Sequence, residues 1–197
     1  MRKYLSLAAA PLLSLAFVPS ADAVLPEPAA PPAAVNTLRK INDSAAFKAA
    51  KAKLDADWDR IVAEVITLTE IPAPPFGEEK RAAAYAEMLK AHGLADVEID
   101  EEGNAMGLRR GTGKPGGPLL VVAAHLDTVF PAKTNVKVRK EGDRLFAPGI
   151  GDDTCSLAVL LAFVRAMDAA GIKTRGDILF VGNVGEEGPG DLRGMRY

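Results

Sequence analysis

Apolar positions at Leu54, Trp58, Ile61, Val62, Val65 and Ile66 recur every three or four residues and predict one helix over Ala45–Thr69, with Ser44 placed to cap it. Ile71-Pro72-Ala73-Pro74-Pro75 ends that helix, since prolines remove donors and disfavour helical backbone before them. Glu78–His92 reads as a second helix, with acids in its first turn and Gly93 as its C-terminal cap. Val97–Asp100 and Ala105–Arg109 predict a hairpin around Glu102-Gly103-Asn104, and Val136–Arg139 with Arg144–Phe146 predict another across Glu141-Gly142-Asp143. Leu119–Ala124 and Ile178–Val181 are unbroken apolar runs, the pattern of strands buried on both faces. Thr154–Ala170 predicts an apolar helix stopped by Gly171. Helices interleaved with buried strands predict an α/β architecture, with chemistry where strand C-terminal ends run into loops.

The first residues follow other rules. Arg2 and Lys3 precede the apolar run Leu5–Val18, which ends in Ala21-Asp22-Ala23, a small-x-small cleavage pattern. This predicts a signal peptide over residues 1–23, hence a secreted or periplasmic protein. The run is too short to span a bilayer, so no stable membrane anchor is expected. Residues 24–35 carry four prolines within Val24–Ala34 and read as an extended Pro/Ala-rich spacer, the fold proper beginning at Asn36.

Composition narrows the function. The chain has 24 basic and 26 acidic residues for a net charge of −2, which leaves no basic face for nucleic acid. A single cysteine, Cys155, excludes a disulfide framework and any Cys-rich zinc module. Cys155 is expected to be a small buried residue packing its helix on the sheet. Gly111-Thr112-Gly113-Lys114-Pro115-Gly116 matches a dinucleotide pattern but leads into a strand rather than a helix, so it reads as a turn.

Three loop positions carry the candidate chemistry. His125-Leu126-Asp127-Thr128 directly follows the run LLVVAA; a neutral imidazole is a good metal ligand, and a nearby carboxylate can fix its tautomer. Taken alone, such a pair is as readily structural. Gly149-Ile150-Gly151-Asp152-Asp153 opens the Thr154–Ala170 helix. Asp153 suits a plain helix cap there, while the glycines leave room around Asp152 for its two oxygens to bridge metals. Gly185-Glu186-Glu187-Gly188 follows the second apolar strand, where there is no helix to cap. One glutamate can ligate a metal while its neighbour shuttles a proton; the bland alternative is a solvated acidic turn.

Taken together, HLDTVF (125–130), APGIGDDTCSLA (147–158) and GEEGPGDLRG (185–194), with IPAPPFGEEKRAAAYAEMLKAHGL (71–94) before them, are more specific than any one alone. Over residues 58–197 the chain resembles the zinc-dependent exopeptidase and deacylase family that includes peptidase T, glutamate carboxypeptidase, aminoacylase and succinyl-diaminopimelate desuccinylase. The resemblance implies a three-layer α/β sandwich with a mixed, mainly parallel sheet. It also implies two zinc ions (cobalt or manganese as alternatives) sharing a bridging carboxylate and a bridging water. His125 would be a terminal ligand of one metal, Asp152 the bridge, Glu187 a ligand of the other and Glu186 the general base. Asp127 would be the partner that orients His125, and the Asp152–Asp153 peptide would be cis. The implied reaction is hydrolysis of a peptide bond in a small peptide, with an N-acyl amino acid as the alternative substrate.

The family expects further ligands, including a second histidine, and an inserted lid domain used for dimer contacts; residues 36–197 read as the N-terminal part of such a catalytic domain, stopping ten residues after Glu187. A dimer is expected only with that lid. His92 is a poor substitute ligand, since it lies at the end of its helix in a capping position. The ligand set in this chain is incomplete, so the chain alone is expected to bind zinc weakly and hydrolyse negligibly. A non-catalytic interaction domain is the reading from a different class.

Overall fold

The computed structural model describes residues 31–197. The signal peptide over 1–23 and spacer residues 24–30 lie outside them. The structure is α/β: helices α1 (Pro32–Asp43), α2 (Ala45–Ala56), α3 (Trp58–Thr69) and α4 (Glu79–Ala91) precede strands β1 (Ala95–Ile99), β2 (Ala105–Arg109) and β3 (Leu119–His125). A small ribbon, β4 (Arg139–Glu141) with β5 (Arg144–Phe146), follows; then come α5 (Cys155–Ala169), β6 (Asp177–Asn183) and the short α6 (Arg193–Arg196).

The main sheet runs β1-β2-β6-β3. β3 pairs β6 in parallel, while β2 pairs both β6 and β1 antiparallel. The expected mixed sheet is present, and among the described residues its parallel pairing joins the two strands that carry candidate loops. Leu68, Tyr85, Leu89, Leu157, Leu161 and Phe180 are fully buried between α3, α4, α5 and one sheet face. Tyr85 reaches across this core, its hydroxyl donating to the Leu157 carbonyl at 3.3 Å. On the other face, Leu119 and Val121 stay half exposed, so two of the three expected layers lie within the described residues. Leu119–Ala124 is therefore not buried on both faces: only its last residues, Ala124 and His125, are enclosed. β6 is the deeply buried strand, flanked on both sides.

Other local expectations are corrected. The helix expected over Ala45–Thr69 is two helices, broken at Asp57, whose backbone leaves helical geometry. The Asp57 carboxylate meets Lys53 at 2.6 Å and Arg165 of α5 at 2.8 Å, so the break is held by a contact 108 residues away. Trp58, expected on the apolar face, is 65% exposed as a result. The spacer also ends earlier than expected: Pro32 opens α1, a position where proline's missing N–H costs nothing. No residue of α1 is buried. α4 matches its expected span, with His92 and left-handed Gly93 closing it. The turn at Gly111–Gly116 leads into β3, as read, its Thr112 and Gly113 amides donating to Thr174 and Arg175 carbonyls.

Candidate metal centre

β3 and β6 run side by side with His125 level with Asn183, so the segments after both strands emerge at one height. The Leu126 amide donates to the Asn183 carbonyl at 2.7 Å, extending the pairing past His125. Two residues on, the Asp127 carboxylate is fully buried and accepts the backbone amides of Glu186 at 3.0 Å and Glu187 at 2.8 Å. One side chain from the β3 loop thus anchors the whole glutamate pair of the β6 loop. The β6 loop can approach because Gly185 is left-handed (φ 65°) and a Cβ there would lie 2.5 Å from the Arg193 side chain.

The third segment comes from the turn Ile150–Thr154 before α5. Gly149 adopts φ 75°, and a Cβ there would meet the Thr128 methyl at 2.6 Å, so only glycine lets the turn pass the β3 loop. Thr154, buried, meets Thr69 of α3 hydroxyl to hydroxyl at 2.6 Å. The Asp152–Asp153 peptide is cis. Asp152 points out to the site with its carboxylate 2.9 Å from His125 Nε2. Asp153 does not cap α5 as expected; its carboxylate accepts the His125 backbone amide at 3.2 Å.

The sequence-predicted residues converge. One ligand atom each from His125, Asp152 and Glu187 lie within 4.8 Å of one another, a spacing that fits a shared cation. Glu186 stands beside them, its carboxylate 4.0 Å from His125 Nε2 and its side chain 43% exposed. His125 Nδ1 is 2.9 Å from the backbone carbonyl of Asp127 and 3.6 Å from its carboxylate. The carbonyl therefore keeps Nδ1 protonated and leaves Nε2 as the nitrogen turned to the site, the one whose proton a metal would replace. Asp127 acts on His125 through charge and on the glutamates through hydrogen bonds.

Electrostatics fit a cation as well. Burial and the neighbouring Asp152 carboxylate push Glu187 above the ordinary carboxylate range. Burial alone would raise Asp127 too, but His125 and the two loop amides outweigh it and hold Asp127 below its usual value. Burial opposes charging the His125 ring, yet Asp127 and Asp152 prevail and raise it to about 9. Four carboxylates, Asp127, Asp152, Glu186 and Glu187, crowd round one imidazole. Among the described residues the last three have no lysine or arginine partner, so this is a donor set that a divalent ion would relieve.

This shift carries a sign. His125 is held protonated in the folded chain, so its contribution to stability is complete below the ordinary histidine value of about 6.5. That contribution is lost as pH rises towards 9. With chelator present, the melting temperature should fall across this window, and His125→Gln should flatten the fall. Zinc should remove it, because the metal takes the neutral ring. An equal slope in wild type and variant would assign the effect elsewhere.

Arg81 is the site residue that sequence reasoning missed. It lies on the buried face of α4, four residues before Tyr85, and is fully buried. Its guanidinium donates to the Ile71 carbonyl at 2.6 and 3.1 Å and to the Leu126 carbonyl at 2.5 Å. Burial lowers its pKa to about 10, opposed by the Asp127 charge. The sequence signal was the phase alone: an arginine in line with Ala82, Tyr85 and Leu89 on a core-facing helix. Cys155, expected to be buried, is exposed. His92 stays far from this centre, closing α4 with Nδ1 2.6 Å from the Met88 carbonyl.

Residues 121–197, which hold all five candidate site residues, match peptidase family M20/M25/M40. Over those residues the chain is similar to the M20 peptidases. A putative [LysW]-lysine/[LysW]-ornithine hydrolase of Pyrococcus abyssi is 35% identical over 121 residues, covering 61% of this chain and 32% of that protein. Carboxypeptidase G2 of a Pseudomonas species is 35% identical over 74 residues, 36% of this chain and 18% of the relative. Among solved structures, a Staphylococcus aureus tripeptidase superposes with a TM-score of 0.55 at 29% identity, covering 65% of this chain and 36% of that one. The chain thus spans about a third or less of the length of these relatives. The likeness to the zinc-exopeptidase and deacylase family expected from the three loop motifs is borne out.

Proposed function

We propose that this chain is the site-bearing portion of a metal-dependent hydrolase that cleaves a peptide or N-acyl amide bond in a small substrate. The observation that carries the reading is the convergence of His125 Nε2, Asp152 and Glu187 within 4.8 Å, with an unligated glutamate beside them. The relatives support it in common terms, since they are named as hydrolases and peptidases. Two zinc ions, with cobalt or manganese as alternatives, are the metals proposed. When bound, they would supply Lewis acidity, polarising a carbonyl and making a water easier to deprotonate.

The chain's own residues do the rest. His125, fixed by the Asp127 carbonyl, would hold a metal through Nε2 once that nitrogen gives up its proton. Asp152, largely exposed on the turn before α5, would hold metal in place of its present contact with His125 Nε2. Glu187 is held by its own amide on Asp127. Glu186 shares that anchor but is free to swing, which suits a base that takes a proton from water and gives it to the departing amine. Amines leave poorly as anions, so this proton delivery is required for C–N cleavage. Asp127 sets both loops in register for these roles.

Export to the periplasm or the exterior belongs to the same proposal, supported by Arg2-Lys3, the Leu5–Val18 run and Ala21-Asp22-Ala23. One experiment tests both. The whole protein that carries this chain, recovered from the exported fraction of its own cells, should begin at Val24 and hydrolyse tripeptides or N-acyl amino acids. Chelator should stop the reaction, zinc should restore it, and His125→Ala should abolish it. Hydrolysis that ignores chelator or survives His125→Ala would overturn the reading.

A further inference from the structure

Glu187 forms one wall of a second feature. A cleft of about 330 Å³ opens beside it, lined by Pro75, Phe76, Val129, Pro131 and Pro189, with Glu187 its one charged wall. Phe76 and Val129 contribute little to the core, being 61% and 59% exposed. Phe76 is nevertheless held in place. Its backbone sits at φ 62°, a left-handed conformation that bulky residues rarely adopt. The Arg193 guanidinium lies over its ring, 5.1 Å from the centroid. Arg193 is itself clamped by Glu78 at 2.9 Å and Glu102 at 2.7 Å. An exposed aromatic ring kept on a strained backbone by a braced arginine is an arrangement that folding alone does not favour.

We propose that this cleft receives an apolar side chain of the substrate, the one adjoining the amide bond cleaved at the Glu187 centre. This rests on the reading of that centre as a metal-dependent hydrolase. It names the substrate class: peptides or N-acyl amino acids with an aliphatic or aromatic residue at that position. A substrate carboxylate placed there would be stripped of water among prolines and set against Glu187. Volume agrees, since the cleft is of a size that holds one large side chain with room at its mouth.

The test is a methyl-detected NMR titration of the full chain with N-acetyl-leucine and with N-acetyl-aspartate, each with and without zinc. N-acetyl-leucine should shift the Val129 methyls and bind roughly tenfold or more tightly than the aspartate compound. Val129→Asp should erase that preference. Phe76→Gly should also erase it while folding at least as well, because glycine accepts the left-handed backbone. Equal binding of the two compounds, binding without a response at Val129, or no binding of either would each overturn the proposal. Zinc added alone reports on the centre separately. No zinc response even at millimolar zinc, with the leucine preference intact, would sink the hydrolase reading, and a zinc response without that preference would sink the cleft.

Discussion

Replacing Arg81 with leucine is expected to cost about 3–5 kcal/mol of folding stability, the range for removing one member of a buried charged network. Arg81 is fully enclosed and supplies the three hydrogen bonds that reach the Ile71 and Leu126 carbonyls. Leucine fills most of the volume but leaves two buried carbonyls without donors. It also removes a buried positive charge coupled to the Asp127 carboxylate. For a domain of this size the loss corresponds to a melting temperature lower by roughly 10 °C. Urea unfolding followed by circular dichroism measures it. Arg81→Lys should fall between the two, because an ammonium keeps the charge but cannot reach both carbonyls in the fixed geometry of a guanidinium. A leucine variant within 1 kcal/mol of wild type, on the scale where surface changes fall, would show that Arg81 is not the pin described.

The second large effect is on chemistry. In the whole protein that carries this chain, Glu186→Gln is expected to lower kcat by roughly 10²–10⁴-fold, the usual weight of a positioned proton-transfer group. Its amide still donates to Asp127, so the loop geometry is kept. Its side chain is outside the His125–Asp152–Glu187 cluster, so metal content should be unchanged. KM should move little, which separates a lost proton carrier from a lost binding contact. Asp152→Asn makes the contrast, because it should lower metal content and activity together. A kcat within tenfold of wild type for Glu186→Gln would remove Glu186 from the mechanism.

Much of this centre was legible from spacing and residue type. His125, Asp152, Glu186 and Glu187 each stand at a junction that the apolar pattern marked, and the strands bring those junctions together. What escaped were contacts between residues far apart in sequence. Asp57 breaks a continuous helical pattern because Arg165, on α5, takes its carboxylate. Asp153 follows the rules of a helix cap locally, yet its oxygen is used by the His125 amide of another segment. LLVVAA has the composition of a doubly buried strand; hydrophobicity records that burial would be favourable, not which neighbours supply it. Arg81 escaped for the opposite reason, since a charge in a core-facing phase looks like an error until the carbonyls it serves are in view.

The parallel pairing of β3 and β6 also says which changes in chain length this fold tolerates. Strand side chains alternate between faces, so deleting one residue within Leu119–Ala124 would turn His125 to the core side and bring Leu126 into its place. Residues 129–149 lie outside the main sheet and carry only the β4–β5 ribbon, where a longer or shorter connection adds little loop-closure cost. Insertions and deletions in descent should therefore gather between His125 and Asp152, whose separation along the chain is free to drift. The count from each strand to the ligand at its end is not.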